Sequence, residues 1–486
     1  MSSNTMKIRS VKFNFVMNFI MTASSILFPL VTFPYISRVL LSEGNGKIAF
    51  ASSVITYFTM FASLGIPTYG IRACAKVRDD KDKLSKTVQE LMIINSGTMF
   101  LVCLVYIASI ILVPKFSAEK ELFIVNGIGM VLNMFAMTWL YNALEQYAYI
   151  TVVNLLVKII SLVFMFLLVR RPEDYIIYGV ITMLASSASY VFNFFYAKKF
   201  ISFRKSGKYN LAVHMKPILI FFAMAAATNV YTNLDVVMLG FMKTDTDVGY
   251  YNAAIKVKTI LVTLITSLGT VLLPRLSYYI KQNRKEEFYR MIGKAVNFVV
   301  ILGVPLTVYF ALFAEESILF LAGEDFRGAI FPMIILMPTI LLIGLSNITG
   351  IQVLTPQNRE NQVLYSILWG AAIDFLLNLI LIPRYASSGA AIATVIAELA
   401  VLAVQCVYLR NILYEIVQQV SWWKIGIAAA FSSGVGVLVK NALSVGVFWM
   451  LVISAGVFFA VYGVVLLILK EKFVKEIFGL LTAQRS

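Results

Sequence analysis

Charge is scarce in this sequence, because Asp, Glu, Lys and Arg make up only 14% of its 486 residues. An average soluble chain carries about 25% charged residues and is about half apolar. This chain is 60% apolar. Its composition therefore excludes a soluble domain and favours a chain that is mostly membrane-spanning helix.

Residues and motifs for metal, redox or nucleotide chemistry are also missing. The chain has one histidine, and its three cysteines, Cys74, Cys103 and Cys406, lack the spacing of a metal site or a disulfide framework. It contains no phosphate loop, nucleophile elbow or HExxH pair. We predict no catalytic residue, no metal and no cofactor, so any work that the protein does would draw on an ion gradient, the membrane potential or product removal.

Long apolar runs bounded by charges predict an all-α integral membrane protein with about fourteen spans. The first run is too long for a signal-peptide core and lacks a small-residue cleavage site behind it. The predicted spans lie at about 13–36, 47–66, 91–113, 122–143, 149–169, 175–197, 217–241, 249–273, 295–312, 328–347, 362–382, 389–409, 422–439 and 447–469.

The distribution of basic residues predicts the orientation, because cytoplasmic loops are enriched in Lys and Arg. With the first ten residues inside, the inner segments hold 28 of the 41 Lys and Arg residues and the outer segments hold 10. Both termini are therefore predicted to be cytoplasmic. The formal net charge of +16 then reflects orientation and attraction to anionic lipids, and it does not indicate nucleic-acid binding.

An internal repeat suggests two lobes. Gly46 and the run Ser63–Gly65 stand near the two ends of the second predicted helix, and Gly249 and Ser267–Gly269 stand at similar positions in the eighth. Repeated bundles facing a central cavity are typical of alternating-access transporters. The predicted domains are residues 1–197 (helices 1 to 6), 198–216 (a basic cytoplasmic linker), 217–410 (helices 7 to 12) and 411–486 (helices 13 and 14 and a cytoplasmic tail).

Several motifs resemble one family of transporters. The stretches that carry the resemblance are Phe33–Leu40 (FPYISRVL), Ser63–Arg72 (SLGIPTYGIR), Asn233–Gly240 (NLDVVMLG), Val248–Ala254 (VGYYNAA) and Ile382–Tyr385 (IPRY) followed by Gly389–Thr394 (GAAIAT). These stretches are similar to those of the polysaccharide-transport family, which holds O-antigen and capsule repeat-unit flippases within the multidrug/oligosaccharidyl-lipid/polysaccharide exporter superfamily. The resemblance covers nearly the whole chain.

The resemblance implies a fold and a cargo. The fold would be two six-helix lobes around a central cavity plus two C-terminal helices. The cargo would be an undecaprenyl-diphosphate-linked oligosaccharide, flipped to the outer leaflet of a bacterial cytoplasmic membrane. Polysaccharide assembly proteins are further candidate partners.

Basic residues inside or beside the spans are candidate substrate ligands, since a charge inside a bilayer is costly and needs a reason. Lys158 lies mid-helix, and Lys256 and Lys258 lie in the other lobe. Ammonium and guanidinium groups suit a pyrophosphate. Arg38 and Arg72 stand at helix ends. The alternatives are snorkelling for the lysines and interfacial anchoring for the arginines.

Three acids inside the spans are candidate ion-coupling residues: Asp235, Asp374 and Glu398. Two carboxylates on neighbouring helices could share a proton or hold a sodium ion. The alternative is a protonated carboxyl that serves only helix packing. His214, in the basic linker, is expected to be solvated.

Two other functions compete with a flippase. A cation-coupled multidrug exporter of the same superfamily would need acidic and aromatic groups in its cavity. A membrane glycosyltransferase or repeat-unit polymerase would need a large outer loop with catalytic groups, but no predicted outer loop exceeds about 15 residues.

Overall fold

The computed structural model describes residues 11–204, 207–411, 418 and 420–471, and these form helices joined by short connections. The α-helices, in chain order, are α1 Val11–Ser63, α2 Ile66–Ala75, α3 Lys81–Leu112, α4 Pro114–Ala118, α5 Lys120–Asn133, α6 Thr138–Ala143, α7 Tyr147–Leu168, α8 Tyr175–Ala197, α9 Ala212–Met242, α10 Asp245–Lys281, α11 Lys285–Leu312, α12 Ala314–Leu321, α13 Ile330–Leu336, α14 Thr339–Asn347, α15 Glu360–Tyr408, α16 Trp422–Ala442 and α17 Val447–Ile468. A π-helical segment, Ile348–Leu354, follows α14, and short 3₁₀ turns cover Pro172–Asp174, Glu324–Ala329 and Thr355–Gln357.

Twelve helical stretches in this part of the chain are long and apolar enough to cross a bilayer. The two longest, Val16–Ala75 and Glu360–Tyr408, each contain a break, at Leu41 (φ 58°) and Ala386 (φ 47°). Each break divides its stretch into two spans, in keeping with about fourteen. Large apolar side chains on the outer faces, such as Ile111 and Leu112, are more than 70% exposed and suit contact with lipid. The chain is a multi-pass membrane protein, and the predicted all-α class is confirmed.

Some predicted boundaries were wrong. The third predicted span began at residue 91 and the ninth at 295, whereas α3 begins at Lys81 and α11 at Lys285. Both helices start with a polar turn that hydropathy does not count. Asp80 caps α3 by accepting from the N–H groups of Asp82 and Lys83, and the Lys83 N–H contact lowers the pKa of this carboxyl.

The tenth predicted span, 328–347, is not one continuous helix. It is interrupted between α13 and α14, where Pro338 stands, and it continues through the π-helical segment to Gln357. Proline removes a backbone donor and crowds the preceding turn, so a break at this position is expected. The predicted cytoplasmic tail beyond residue 471 lies outside the described residues.

The chain divides into two compact units, Met1–Val237 and Met238–Ser486, with the division inside α9. In the first unit, α8 packs on α5 and α7, and α1 packs on α3, α5 and α7. In the second unit, α15 packs on α13 and α14, and α16 packs on α17 and α11. The lobe boundaries expected from the repeat stay a prediction.

The basic linker is docked on α3, within the first unit. Nε2 of Gln89 donates to the carbonyls of Ser202 and Arg204 at 2.6 and 2.9 Å, and the Tyr209 hydroxyl donates to Oε1 of Gln89 at 2.8 Å. Phe200 and Ile201 are buried in the same apolar cluster as helix residues of this unit. The described part of the linker is therefore packed on the unit, and we call it the docked linker.

Candidate functional site

A cavity of about 660 Å³, lined by many hydroxyl and amide side chains together with apolar ones, lies in the first unit among membrane-spanning helices. One wall is a face of α1 that carries Ser52, Thr56, Thr59 and Ser63. Their spacing of four, three and four residues places them on one side of a helix with 3.6 residues per turn. The sequence therefore builds a hydroxyl stripe into an otherwise apolar helix.

The other walls repeat this chemistry on α5, α8 and α9. The polar side chains there are Asn126, Asn133, Thr182, Ser186, Ser187, Tyr190 and Asn229. Among the residues that the structure describes, the cavity lining includes apolar side chains but no Asp, Glu, Lys, Arg or His. This lining is therefore uncharged and mixes polar with apolar side chains.

Hydrogen bonds inside the helices determine which groups the walls present. Thr56 donates its hydroxyl to the carbonyl of Ser52, and Ser187 donates to that of Met183. The amide nitrogen of Asn229 donates to the carbonyl of Ala225 at 3.0 Å. Because these donors are used within their own helices, the oxygens keep free lone pairs. The wall is therefore rich in acceptors.

A second asparagine follows the same rule. The amide nitrogen of Asn126 donates to the carbonyl of Leu122 at 2.9 Å, which leaves its oxygen as an acceptor. Asn133 differs, since its Oδ1 accepts from the Ser63 hydroxyl at 3.0 Å and so links α1 to α5. These contacts fix the orientation of both amides.

A close approach between helices lies next to the cavity, where α9 meets the joint between α1 and α2. A Cβ placed on Gly65 would lie 2.2 Å from the carbonyl oxygen of Ile218 and 2.7 Å from Cβ of Phe221. Glycine therefore allows α9 to lie against the joint between α1 and α2. Leu64 and Ala225, near this contact, line the cavity.

The predicted substrate ligands lie elsewhere. None of Arg38, Arg72 and Lys158 lines this cavity, although all belong to the first unit. Arg38 is exposed and donates to the carbonyl of Pro34 at 2.6 Å, and Arg72 is exposed. Lys158 is half-buried, and its Nζ lies 2.9 Å from the hydroxyl of Ser25 and 3.2 Å from that of Ser24.

Lys256 and Lys258 lie on α10 in the second unit, and both are half-buried. Neither has a hydrogen bond or ion pair to another residue that the structure describes. The roles predicted for the five basic residues stay predictions.

The three predicted coupling acids are buried, with 7% exposure for Asp235, 2% for Asp374 and 6% for Glu398. Asp374 and Glu398 stand twelve residues before and after the break at Ala386, about 18 Å along each helical segment at 1.5 Å per residue. A Cβ on Gly389 would lie 2.3 Å from the carbonyl oxygen of Leu381, so the chain folds back at this break. The two acids therefore stand equally far along the chain from this fold-back.

Comparisons with known proteins place this fold in a family. Residues 11–280, more than half of the chain, match the family described as Polysaccharide biosynthesis protein. The chain belongs to this family. A relative from Escherichia coli (strain K12), with the name "Putative O-antigen transporter", is 25% identical over 414 residues, which cover 84% of this chain and 98% of that protein.

Two solved structures share the fold. The lipid II flippase MurJ in an inward closed conformation matches with a TM-score of 0.74 and 13% identity, covering 95% of this chain and all of that one. An inward-facing multidrug resistance MATE family transporter of the MOP superfamily matches with a TM-score of 0.61 and 13% identity, covering 83% of this chain and 99% of that one. The family resemblance predicted from the motifs is confirmed.

Sequence reasoning missed the cavity because it searched for charged residues. The signal was present as hydroxyl residues at helical spacing, in Ser52, Thr56, Thr59 and Ser63 and again in Thr182, Ser186 and Tyr190. Serine and threonine are tolerated in apolar helices because their hydroxyls donate to the preceding turn. A stripe of them therefore passes unnoticed when only charge and mean apolarity are read.

Proposed function

We propose that this protein flips lipid-linked oligosaccharide repeat units from the cytoplasmic to the outer leaflet by alternating access. The observation that carries the proposal is the uncharged, acceptor-rich cavity inside the membrane-spanning helices. A neutral sugar presents many O–H donors, so it complements walls of hydroxyl and amide oxygens. The family membership and the O-antigen transporter relative support the same cargo.

The competing functions are less well supported. A multidrug exporter for organic cations would gain from carboxylates and aromatic faces in its cavity. Within the described part of the chain, this cavity has one aromatic lining residue, Tyr190, and no carboxylate. Two of the relatives carry the names of an O-antigen transporter and a glycan biosynthesis flippase, and neither name indicates a glycosyltransferase or a polymerase.

The charged part of the cargo and the driving force are assigned separately. The pyrophosphate would be compensated by Lys158 and Lys256, with Lys258, Arg38 and Arg72 as further contacts. Asp235, Asp374 and Glu398 would carry the coupling ion. Their burial supports this assignment, because a charge inside a bilayer is costly and acids placed there commonly mark ion or proton pathways.

Flipping in vesicles tests the proposed function directly. The purified protein is reconstituted with an undecaprenyl-diphosphate-linked oligosaccharide, and the glycan that reaches the opposite leaflet is measured with a non-permeant glycan-modifying reagent. We expect flipping well above that of protein-free vesicles. Accumulation of an organic cation with no flipping would favour the multidrug exporter.

Orientation is a second expected result. We propose that the protein lies in a bacterial cytoplasmic membrane with both termini in the cytoplasm, and that anionic lipids and polysaccharide assembly proteins are its partners. In a variant without native cysteines, Gly207→Cys in the basic linker should react with a membrane-impermeant maleimide only after the cytoplasmic face is opened. Labelling in intact cells would contradict the predicted topology and place the linker outside the cytoplasm.

A further inference from the structure

The single histidine of the chain is buried near the start of α9, inside the first unit, and it does not line the cavity. Nε2 of His214 lies 2.9 Å from Oε2 of Glu90 on α3, and Nδ1 lies 2.8 Å from the hydroxyl of Tyr69 on α2. Glu90 is 4% exposed and His214 is 7% exposed. The expectation of a solvated histidine was therefore wrong, because sequence alone could not place Glu90 beside it.

Hydrogen-bonding rules determine the protonation pattern of this ring. An ionised carboxylate only accepts, so Nε2 must carry a hydrogen and donate it to Glu90. In the neutral ring Nδ1 then accepts from the Tyr69 hydroxyl. A tyrosine hydroxyl also accepts, so a protonated Nδ1 can donate to the same oxygen. The ring can therefore gain a proton without losing either hydrogen bond.

Among the charged groups near the imidazole, the one in direct contact with it is an anion. Oε1 of Glu90 accepts from the backbone N–H of Asn210 at 2.7 Å, and Nζ of Lys86 lies 4.0 Å from the same oxygen but is partly exposed. On α2, the exposed Arg72 and the buried thiol of Cys74 are the other ionisable groups near the tyrosine. Glu90 is thus the anion in direct contact with the ring, and apolar surroundings strengthen the attraction between them.

The contacts also show what the proton would control. Glu90 holds the backbone of Asn210 and the neighbouring Gln89 holds Ser202, Arg204 and Tyr209, so one turn of α3 binds much of the docked linker. His214 attaches the start of α9 to the same turn. A charged ring makes the stronger, charge-assisted bond to Glu90.

We propose that His214, Glu90 and Tyr69 form a proton-binding site that controls how firmly the docked linker and the start of α9 are held on α3. Histidine ordinarily changes charge between pH 5 and 8, which spans cytoplasmic pH. Proton uptake strengthens the attachment, and proton release weakens it. Since α9 also supplies Asn229 to the cavity wall, the site lies on the helix that joins the linker to the cavity.

The single histidine makes direct observation possible. In full-length protein labelled with ¹⁵N-histidine and purified without a histidine tag, one imidazole should report the site between pH 5 and 9. We expect the Nε2–H tautomer at high pH and a doubly protonated ring at low pH. Glu90→Gln should move this change to lower pH, because it removes the negative charge that contacts the ring.

A matched pair of variants separates the site from general effects on the linker. Tyr69→Phe removes the hydroxyl that contacts Nδ1, so it should change the Nδ1 signal and the titration while Glu90 keeps the hydrogen on Nε2. Tyr209→Phe removes a hydroxyl bond of the same docked linker to Gln89, and it should leave the imidazole signal as in the wild type. Equal effects of the two variants, or a ring that keeps one protonation state from pH 5 to 9, would overturn the proposal.

Linker attachment is measured by trypsin cleavage after Arg204 and Lys208 in the reconstituted protein. At each pH the wild type is compared with His214→Gln, which keeps hydrogen-bonding groups but cannot be charged, so the pH dependence of trypsin cancels. We expect cleavage of the variant to be about fivefold faster at pH 6 and similar at pH 8.5, as loss of one charge-assisted bond predicts. If the ratio of variant to wild-type cleavage rates is the same at both pH values, the protonation of His214 does not control linker attachment. Neither the imidazole titration nor the trypsin assay uses the glycan, so their results test this inference independently of the proposed function.

Discussion

Replacing Ser186 with tryptophan is expected to abolish most flipping while leaving the protein folded. Ser186, on α8, is exposed and lines the cavity. An indole at this position would fill the space proposed for the sugar without displacing buried groups. Several hydrogen bonds to the cargo would be lost, each worth about 0.5–1.5 kcal/mol. Flipping of the lipid-linked oligosaccharide should therefore fall by about tenfold or more.

The matched control is Leu184→Trp on the same helix. Leu184 is 42% exposed, does not line the cavity and lies about 200° around the helix from Ser186, so the same indole would project from the opposite face. This variant should flip at close to the wild-type rate, with the same membrane abundance. Wild-type flipping by Ser186→Trp would show that the cargo does not enter this cavity, whereas loss in both variants would indicate a general effect of tryptophan on α8.

The number of spans could be predicted because a bilayer imposes one length on every helix that crosses it. Runs of about 20 apolar residues identified the regions of α7, α8, α16 and α17 closely. Helix ends were less predictable, since α3 and α11 continue beyond the apolar run as amphipathic turns that begin at Lys81 and Lys285. Hydropathy measures what the bilayer contacts and does not detect where hydrogen bonding along a helix ends.

The sites were harder to predict because they depend on pairs of residues far apart in sequence. His214 lies 124 positions after Glu90, and the contact between them depends on how the docked linker folds onto α3. Ser63 and Asn133 are 70 positions apart and meet across two helices. Periodicity along one helix could have indicated the hydroxyl stripe of α1, but nothing local indicates which stripes face each other.

The break at Ala386 illustrates the same limit. The acids Asp374 and Glu398 could be placed near mid-membrane by counting residues, and the structure sets them at equal distances from the fold-back. A positive φ at an alanine is rare and carries no compositional signal. The predicted role of these acids in coupling stays a prediction.

Removing the charge of Lys158 should impair flipping by a different route, through the pyrophosphate. Lys158→Gln and Lys256→Gln are each expected to lower flipping by about 10- to 100-fold, the range for a lost hydrogen bond to a charged group of about 1.5–3 kcal/mol. Membrane abundance should stay unchanged, and Arg at either position should retain part of the activity because the charge remains. The assay is the same vesicle flipping, with abundance measured by immunoblot.

The contacts of Lys158 provide the control that decides between charge and packing. Its Nζ contacts the hydroxyls of Ser24 and Ser25 on α1. The alternative to a substrate role is therefore that the lysine serves to hold α1 and α7 together. A Ser24→Ala/Ser25→Ala variant removes that tie and keeps the charge. If the charge compensates the pyrophosphate, this variant should flip at nearly the wild-type rate while Lys158→Gln does not. Equal losses of flipping in both variants would show that Lys158 is a helix-packing residue. Full activity of a Lys158→Gln/Lys256→Gln double variant would show that neither lysine compensates the pyrophosphate.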